Sequence, residues 1–399
     1  MAELPDGMRR VEDLRLPRVG CVTRSEGVSG SWELHDAGGG AVPEVNGYLR
    51  ELQATGATDS TMRSYTHDLL RWWRFLAAVE VPWAQATRTE VRDLVLWMKQ
   101  AENPQRLRSG KGRAAAGSLN LRTGKPYLQL GYAPRTINHC LTVISGFYSF
   151  AIDNDLGPLV NPVPATQRRQ GPAAKPNFGR RARYRQRTPR PQPRGISEDL
   201  LQELFATLKN DRDRALIAVA LSSGARAGEL LSMTRGGIDA GAGIVHVTPK
   251  GLGGSRVWIP VAPTSFVWIA RYLATRPSGP PEEQLWWTLR EPRRPLDYMA
   301  LRQVLERANK RLGTNLTLHD LRHTFTHRLL DDDRLSLTDV QELTRHRSLN
   351  GLAQYSASRL EELVRHLHTH LTRPPDPAPT PAPGYSREDL KALFPKVDL

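Results

Sequence analysis

The stretch LTLHDLRH, residues 316–323, sets His319 and His323 four residues apart, with Asp320 directly after the first histidine. On a helix that spacing puts both rings on one face. The pattern is that of a zinc helix, H-E-x-x-H, with Asp in place of Glu. Arg322 stands between the histidines, however, and a guanidinium favours a phosphate or carboxylate over a metal cation. Thr317 and Asp320 fit a T-x-x-D capping box, so the helix is expected to start here. His319 and Arg322 then lie in its first turn at i, i+3, near the positive dipole end, which suits an anion and opposes a cation. From its residues alone the stretch reads as a metal helix, an anion-binding helix or a core helix with polar edges.

Other candidates are scattered along the second half of the chain. Arg226 lies in SSGARAGELLSM, after Gly224, a helix terminator, and before a helix expected to begin around Ala227. Such a position favours anions, and Glu229 is near enough to orient the guanidinium. Lys250 sits in KGLGG, between the β-rich runs GIVHVTP and SRVWIPVA. No other lysine occurs between Lys209 and Lys310, although arginines are plentiful there. A lone lysine among arginines hints at a titratable amine. LTRHRSLNGLAQYSAS supplies His346 and Tyr355. Taken singly, each of these is as readily a surface arginine, a turn lysine, a structural histidine or a core tyrosine.

The elements that must position these residues are legible in outline. At 399 residues the chain has room for two or three domains. Residues 1–41 are mixed and Gly-rich near DAGGGAVP, and read as a loosely ordered arm. Residues 42–162 read as a helical domain. Tyr65, Leu69, Trp72 and Leu76 form one stripe with Ser60 as N-cap, Val91, Leu94, Val95 and Met98 a second, and Ile137, Leu141, Ile144 and Tyr148 a third. Between the second and third helices, about 101–131 reads as a flexible basic insertion. Residues 163–195 form a Pro- and Arg-rich linker, with no acid between Asp155 and Glu198. That composition cannot bury enough apolar surface to order itself. The segment is then either a solvated linker or, through Arg168, Arg169, Arg180, Arg181, Arg183, Arg185 and Arg187, a strap along a phosphate backbone. From 196 to 370 helices surround a β-hairpin with a Gly-rich loop. The remainder, 371–399, is a Pro-rich tail in which SREDLKALF makes a short amphipathic helix.

Composition narrows the partners. Lys plus Arg number 56 against 41 Asp plus Glu, a net charge of +15. So basic a chain points first to nucleic acid and second to an anionic membrane. No apolar run is long enough to span a bilayer, and the first twenty residues lack the apolar core of a signal peptide. Two distant cysteines, Cys21 and Cys140, fit a reduced, cytoplasmic protein without disulfides.

Taken together, the order Arg, Lys, His-x-x-Arg, His, Tyr resembles the tyrosine recombinase (phage integrase) family. SSGARAGELLSM looks like its Gly-x-Arg-x-x-Glu-Leu box and PKGLGGSRVWIPV like its lysine hairpin. LTLHDLRHTFTHRLL is close to its His-x-x-Arg box, and LTRHRSLNGLAQYSAS has nine residues from histidine to tyrosine, like its closing segment. TMRSYTHDLLRWWRFL is similar to a phrase of the family's N-terminal domain. Two departures stand out: Arg345 replaces the usual Gly before the histidine, adding a cation, and Ala225 stands where Leu is common.

The resemblance implies a mainly α fold with a small antiparallel β-sheet: a helical, SAM-like core-binding domain followed by an α+β catalytic domain. It implies that Tyr355 attacks a DNA phosphodiester, with Arg226 and Arg322 on the phosphate, Lys250 as general acid, His319 exchanging the tyrosine proton and His346 donating a hydrogen bond. Glu229 and His323 would support the site. No cofactor or metal is implied. The implied partner is duplex DNA carrying specific sites, with the chain acting as a tetramer; the tail helix either docks on a neighbouring protomer or belongs to a free tail. A mobile-element integrase is favoured, because the arm, the insertion and the tail depart from the compact Xer-like resolvase plan. The alternatives are such a resolvase, a catalytically silent DNA-binding relative and a metallohydrolase.

Overall fold

The computed structural model describes residues 9–25, 31–103, 115–164, 183–188, 195–249 and 255–345. Two hydrophobic cores organise them, one built from residues 11–148 and the other from residues 196–321.

The first core is a bundle of α1 (Pro43–Ala54), α2 (Asp59–Ala78), α3 (Arg88–Gln100) and α4 (Pro134–Asp153). The apolar stripes of the sequence meet at its centre: Leu69, Trp72, Val91, Leu94, Met98, Ile137, Leu141 and Tyr148 are all buried. The polar edges of the large aromatics are satisfied rather than left dry. Trp72 Nε1 donates to the Tyr148 hydroxyl at 3.2 Å, and that hydroxyl donates to the carbonyl of Trp83 at 2.7 Å. Helix α2 starts one turn-fraction earlier than its serine suggests. Thr58 is the extended N-cap residue, and its hydroxyl shares hydrogen bonds with the Ser60 and Thr61 hydroxyls.

The described part of the expected arm is folded. Strands β1 (Cys21–Arg24) and β2 (Trp32–His35) pair antiparallel, and Leu34 is wholly buried against the bundle. Asn46 of α1 accepts from the Leu34 amide at 2.9 Å, and Arg74 of α2 donates to the carbonyls of Val19 and Gly20 at 2.7 and 2.9 Å. Arg9 pairs with Glu90 at 2.7 Å. Four-residue strands carry too short an alternation to be read as such, and their partners are residues far along the chain. The glycines of DAGGGAVP form the turn that follows, with the Asp36 carboxylate accepting from the amides of Gly38 and Gly40.

The second core contains α5 (Glu198–Thr207), α6 (Asp211–Ser223) and α7 (Ala227–Leu231), and the three-stranded antiparallel sheet β3 (Ile238–Asp239), β4 (Ile244–Val247), β5 (Val257–Pro260) in that order. It continues through α8 (Pro263–Ala274), α9 (Tyr298–Leu312) and the start of α10 (Leu318–Leu330), and α11 (Leu337–Thr344) packs on α10 through a separate small cluster of Val340 with Leu330. The expected hairpin is the β4–β5 pair, with Val247 opposite Val257. Helix α6 is buried around its circumference through Ala215, Leu216, Ile217, Val219 and Ala220, as a central helix must be. It is packed between α8 and α10.

Gly224 ends α6 in the left-handed region, with φ of +57°. A Cβ there would lie 2.3 Å from Cδ1 of Phe325 on α10. Both the backbone conformation and the packing therefore require glycine. Gly224→Ala is expected to destabilise the chain by about 2–4 kcal/mol, combining left-handed strain with overpacking; denaturant unfolding of the variant measures it.

Candidate active site

The site lies where the C-terminal ends of α6 and α11 meet the N-terminal ends of α7 and α10. Helix ends leave backbone carbonyls without intrahelical partners, and here arginines supply the donors. Arg322 of α10 is buried, 4% exposed. It donates through Nη1 to the Gly224 carbonyl at 2.5 Å and through Nη2 to the Thr344 carbonyl. Arg345 follows α11 in the left-handed conformation, φ +56°. Its Nη2 donates to the Ser223 carbonyl at 3.2 Å and to Glu229 Oε2 at 3.0 Å.

Arg226 is the N-cap residue of α7. Its amide donates to Glu229 Oε2 at 2.9 Å, its Nη1 to Glu229 Oε1 at 2.8 Å and its Nη2 to the Arg345 carbonyl at 3.2 Å. The Glu229 carboxylate is almost fully buried and lies between two guanidiniums. Burial pushes its pKa up, but Arg345, the Arg226 amide and the Arg226 side chain outweigh that and hold it below the ordinary carboxylate value. Two guanidiniums thus converge on one acid, with Arg322 bonded to helix-end carbonyls nearby, leaving an excess of positive charge. The Arg226 side chain is 42% exposed and presents that excess to solvent.

Helix α10 begins as its sequence predicts. Thr317 and Asp320 form a capping box, in which Asp320 Oδ2 accepts from the amide and hydroxyl of Thr317, both at 2.7 Å. Asp320 is thereby engaged as a cap, which removes it from the role of general base in a metal helix. The rings of His319 and His323 lie edge to face with centroids 4.2 Å apart. Among the described residues no cluster of three His, Cys, Asp or Glu side chains is arranged to hold a metal ion.

Desolvation lowers the pKa of His319; Asp320 opposes the shift, and Arg322, Lys125 and Arg226 reinforce it. His323 is buried, and desolvation together with His319 pushes its pKa down to about 4. Both rings are therefore neutral near pH 7.

The structure brings together Arg226, Glu229, His319, Arg322 and His323. Lys250, His346 and Tyr355 lie outside the described residues, as do Arg168, Arg169, Arg180 and Arg181 and the tail helix. The strand end leading toward Lys250 is tied to α7, since the Thr248 amide donates to Ser232 Oγ at 2.8 Å. Arg183, Arg185 and Arg187 are exposed on a segment lying along α4. There the Gln186 amide donates to Asn138 Oδ1 at 2.7 Å and Arg185 to Thr142 Oγ1 at 2.8 Å.

Sequence reading noticed Arg345 only as an added cation; the structure gives it a place in the Glu229 network. It missed Lys125, whose Nζ lies 2.7 Å from Asp320 Oδ2. No local pattern could have joined residues 195 positions apart.

The phage integrase family model matches residues 194–362, and the model for the N-terminal SAM-like domain of phage integrases matches residues 45–116. The chain is 24% identical over 228 residues to tyrosine recombinase XerA of Pyrococcus horikoshii, covering 57% of this chain and 70% of that protein. It is 27% identical over 256 residues to tyrosine recombinase XerC of Azotobacter vinelandii, covering 62% and 78%. Among solved structures, a lambda integrase dimer bound to a COC′ core site superposes with a TM-score of 0.53 at 16% identity, covering 77% of this chain and 95% of that one. The Tn1549 transposon integrase in complex with circular intermediate DNA gives 0.55 at 14% identity, covering 81% and 98%. These two likenesses are of fold.

The buried, neutral His323 makes stability depend on pH. Its folded pKa, about 4, lies below the ordinary 6.5, so the unfolded chain takes up the proton first. The contribution is complete above about pH 6.5 and is lost as the pH falls toward 4. His323→Gln should remove roughly 2 to 3 kcal/mol of this acid sensitivity, seen as a flatter dependence of the urea midpoint between pH 7.5 and 4.5.

Proposed function

The chain belongs to the phage integrase family of tyrosine recombinases, and we propose that it cuts and rejoins duplex DNA at specific sites through a 3′-phosphotyrosyl intermediate. The observation that carries this reading is the convergence of Arg226 and Arg322, with His319, where α6, α7, α10 and α11 meet.

In this reading the Tyr355 hydroxyl oxygen attacks a backbone phosphorus. The new bond is Tyr355 Oη to phosphorus; the broken one is phosphorus to the 5′-oxygen, which leaves as a hydroxyl. The phosphodiester is exchanged rather than hydrolysed, so a second strand's 5′-hydroxyl can reverse the step without ATP. The transition state carries extra negative charge on its equatorial oxygens. Arg226 and Arg322, held in place beforehand, oppose that charge, and preorganised charge is commonly the largest catalytic contribution. Lys250 protonates the leaving 5′-oxygen, and His346 donates a hydrogen bond to the phosphate.

His319 accepts the tyrosine proton and returns it on resealing. Its depressed pKa supports this assignment, because a base must be neutral to accept. The two halves of the chain hold the duplex between them, with Arg183, Arg185 and Arg187 along its phosphates, and recombination proceeds in a tetramer.

A mobile-element integrase is the role we favour, on the strength of the arm, the insertion and the tail. Chromosome or plasmid dimer resolution is the second reading, favoured by the Xer names of the curated relatives. Direct repeats bracketing the gene would select the first.

Tyr355→Phe is expected to abolish covalent protein–DNA adducts on denaturing gels while leaving DNA binding intact. The wild-type adduct should form equally in excess EDTA, and a requirement for added metal would favour the metallohydrolase alternative. The adduct rate should fall in acid, on the low side of the ordinary imidazole range because burial lowers the His319 pKa, and His319→Gln should be slower and lose that acid limb.

A further inference from the structure

The segment between α3 and α4 belongs by chain to the first half of the protein, but its described tip is bonded to the second. Residues 118–127 form a tight turn. The amides of Tyr127 and Asn120 donate to the carbonyls of Ser118 and Lys125 at 2.8 and 3.0 Å. Asn120 Oδ1 accepts from the amides of Arg122 and Thr123, both at 3.0 Å. Asn120 is 5% exposed, so the turn is built around a buried side chain.

Its outer edge meets the connection from α9 to α10. Asn120 Nδ2 donates to the Gly313 carbonyl at 2.8 Å, and Arg122 Nη1 to the Leu312 carbonyl at 2.8 Å. These are carbonyls at the end of α9, which a helix leaves without partners. Arg122 Nη2 also reaches both carboxylate oxygens of Glu203 on α5, at 2.6 and 2.7 Å. Thr123 Oγ1 donates to Asn315 Oδ1 at 2.5 Å, and Asn315 Nδ2 donates to the Lys125 carbonyl at 2.9 Å. Lys125 Nζ then lies 2.7 Å from Asp320 Oδ2, the atom that caps α10. That oxygen accepts from the Thr317 amide, the Thr317 hydroxyl and the ammonium together.

We propose that Lys125 is a positioning residue: the 118–127 turn ties the helical N-terminal half to the cap of α10, so that the seating of one half on the other fixes His319 and Arg322 for reaction. A single exposed ion pair would do little. This one belongs to a set carried on a preorganised turn, and its acceptor already defines where the active helix begins. His319 precedes that acceptor by one residue and Arg322 follows it by two. Breaking the tie therefore loosens the first turn of α10 while Arg226, His319 and Arg322 themselves stay unsubstituted, although it also removes one of the charges near His319. The consequence for catalysis rests on the recombinase reading above; the tie itself does not.

Two readouts on the full chain separate these levels. Hydrogen exchange in the free protein follows residues 317–323 in Lys125→Met, Arg122→Glu, and the charge-swapped pair Arg122→Glu with Glu203→Arg. Exchange there should rise about tenfold in the single variants and return toward wild type in the pair. The rate of Tyr355 adduct formation at saturating duplex should fall about tenfold in Lys125→Met, with DNA affinity within about twofold of wild type. Unchanged exchange in both single variants would overturn the tie. Raised exchange with an unchanged or faster adduct rate would overturn the positioning role. A wild-type chain that yields no tyrosyl adduct on any duplex while its exchange follows the pattern would overturn the recombinase reading and leave the tie in place.

Discussion

The placement of the Arg322 guanidinium is the constraint on which the rest of the site depends. It is buried and bonded at once to the last turn of α6, at Gly224, and to the last turn of α11, at Thr344. Each of those carbonyls lies at a helix end, where the backbone has acceptors and no partner of its own. Their partial negative charge makes a buried cation tolerable there. Two helices far apart in sequence are thereby fixed to a third, and the fixing group is a guanidinium, whose chemistry also suits phosphate. Arg345 repeats the device on Ser223, and Glu229 closes the network by drawing Arg226 and Arg345 to one carboxylate. The same arrangement that satisfies the helix ends therefore collects positive charge. Structural and chemical demands fall on the same atoms, which is why the polar residues here are buried and yet ionised.

What could be read from the sequence was local. The capping box of Thr317 and Asp320, the stop at Gly224 and the hairpin of β4 and β5 each depend on residues within a few positions of one another, and each lies where its pattern put it. The three apolar stripes of the first half are equally local, because helical period alone selects their buried faces. Tertiary partners were not legible. The β1–β2 hairpin looked unstructured because four-residue strands carry little alternation and are held by Asn46 and Arg74, which no nearby pattern announces. The basic insertion read as flexible because its composition is that of a loop. Its tip is ordered by Asn120, a residue whose ordinary role is to make turns and which here also bonds across to α9.

The histidines of α10 show how one helix can carry polar groups toward a core. His319 sits exposed at its start, and His323 is buried one turn further on, ring edge against ring face. Charging His319 would cost hydration and place a cation beside Arg322, and charging His323 would place one inside a dry environment beside His319. Both pKa values are accordingly depressed. The apparent metal pair of the sequence thus resolves into one solvent-facing imidazole and one buried neighbour whose own pKa is lowered by burial and by the first ring. Asp320, the acid that completed the metal pattern, serves the backbone.

Arg345 is the clearest departure from local preference. A left-handed residue after a helix is where glycine costs least, and a side chain there carries a strain of about 1 kcal/mol. Its Nε is buried and, among the described residues, without a hydrogen-bond partner, a second unfavourable feature. Against these stand the bond to Ser223, the bond to Leu343 and the ion pair with Glu229, itself 1% exposed. A buried carboxylate with one partner fewer would be costly, since an ion left uncompensated away from water loses several kcal/mol. Glycine would relieve the backbone and leave Glu229 to Arg226 alone. Arg226 would then be held more tightly by its own acid and less available to a phosphate. Sharing Glu229 between two guanidiniums is what leaves the outer edge of Arg226 facing solvent with charge to spare.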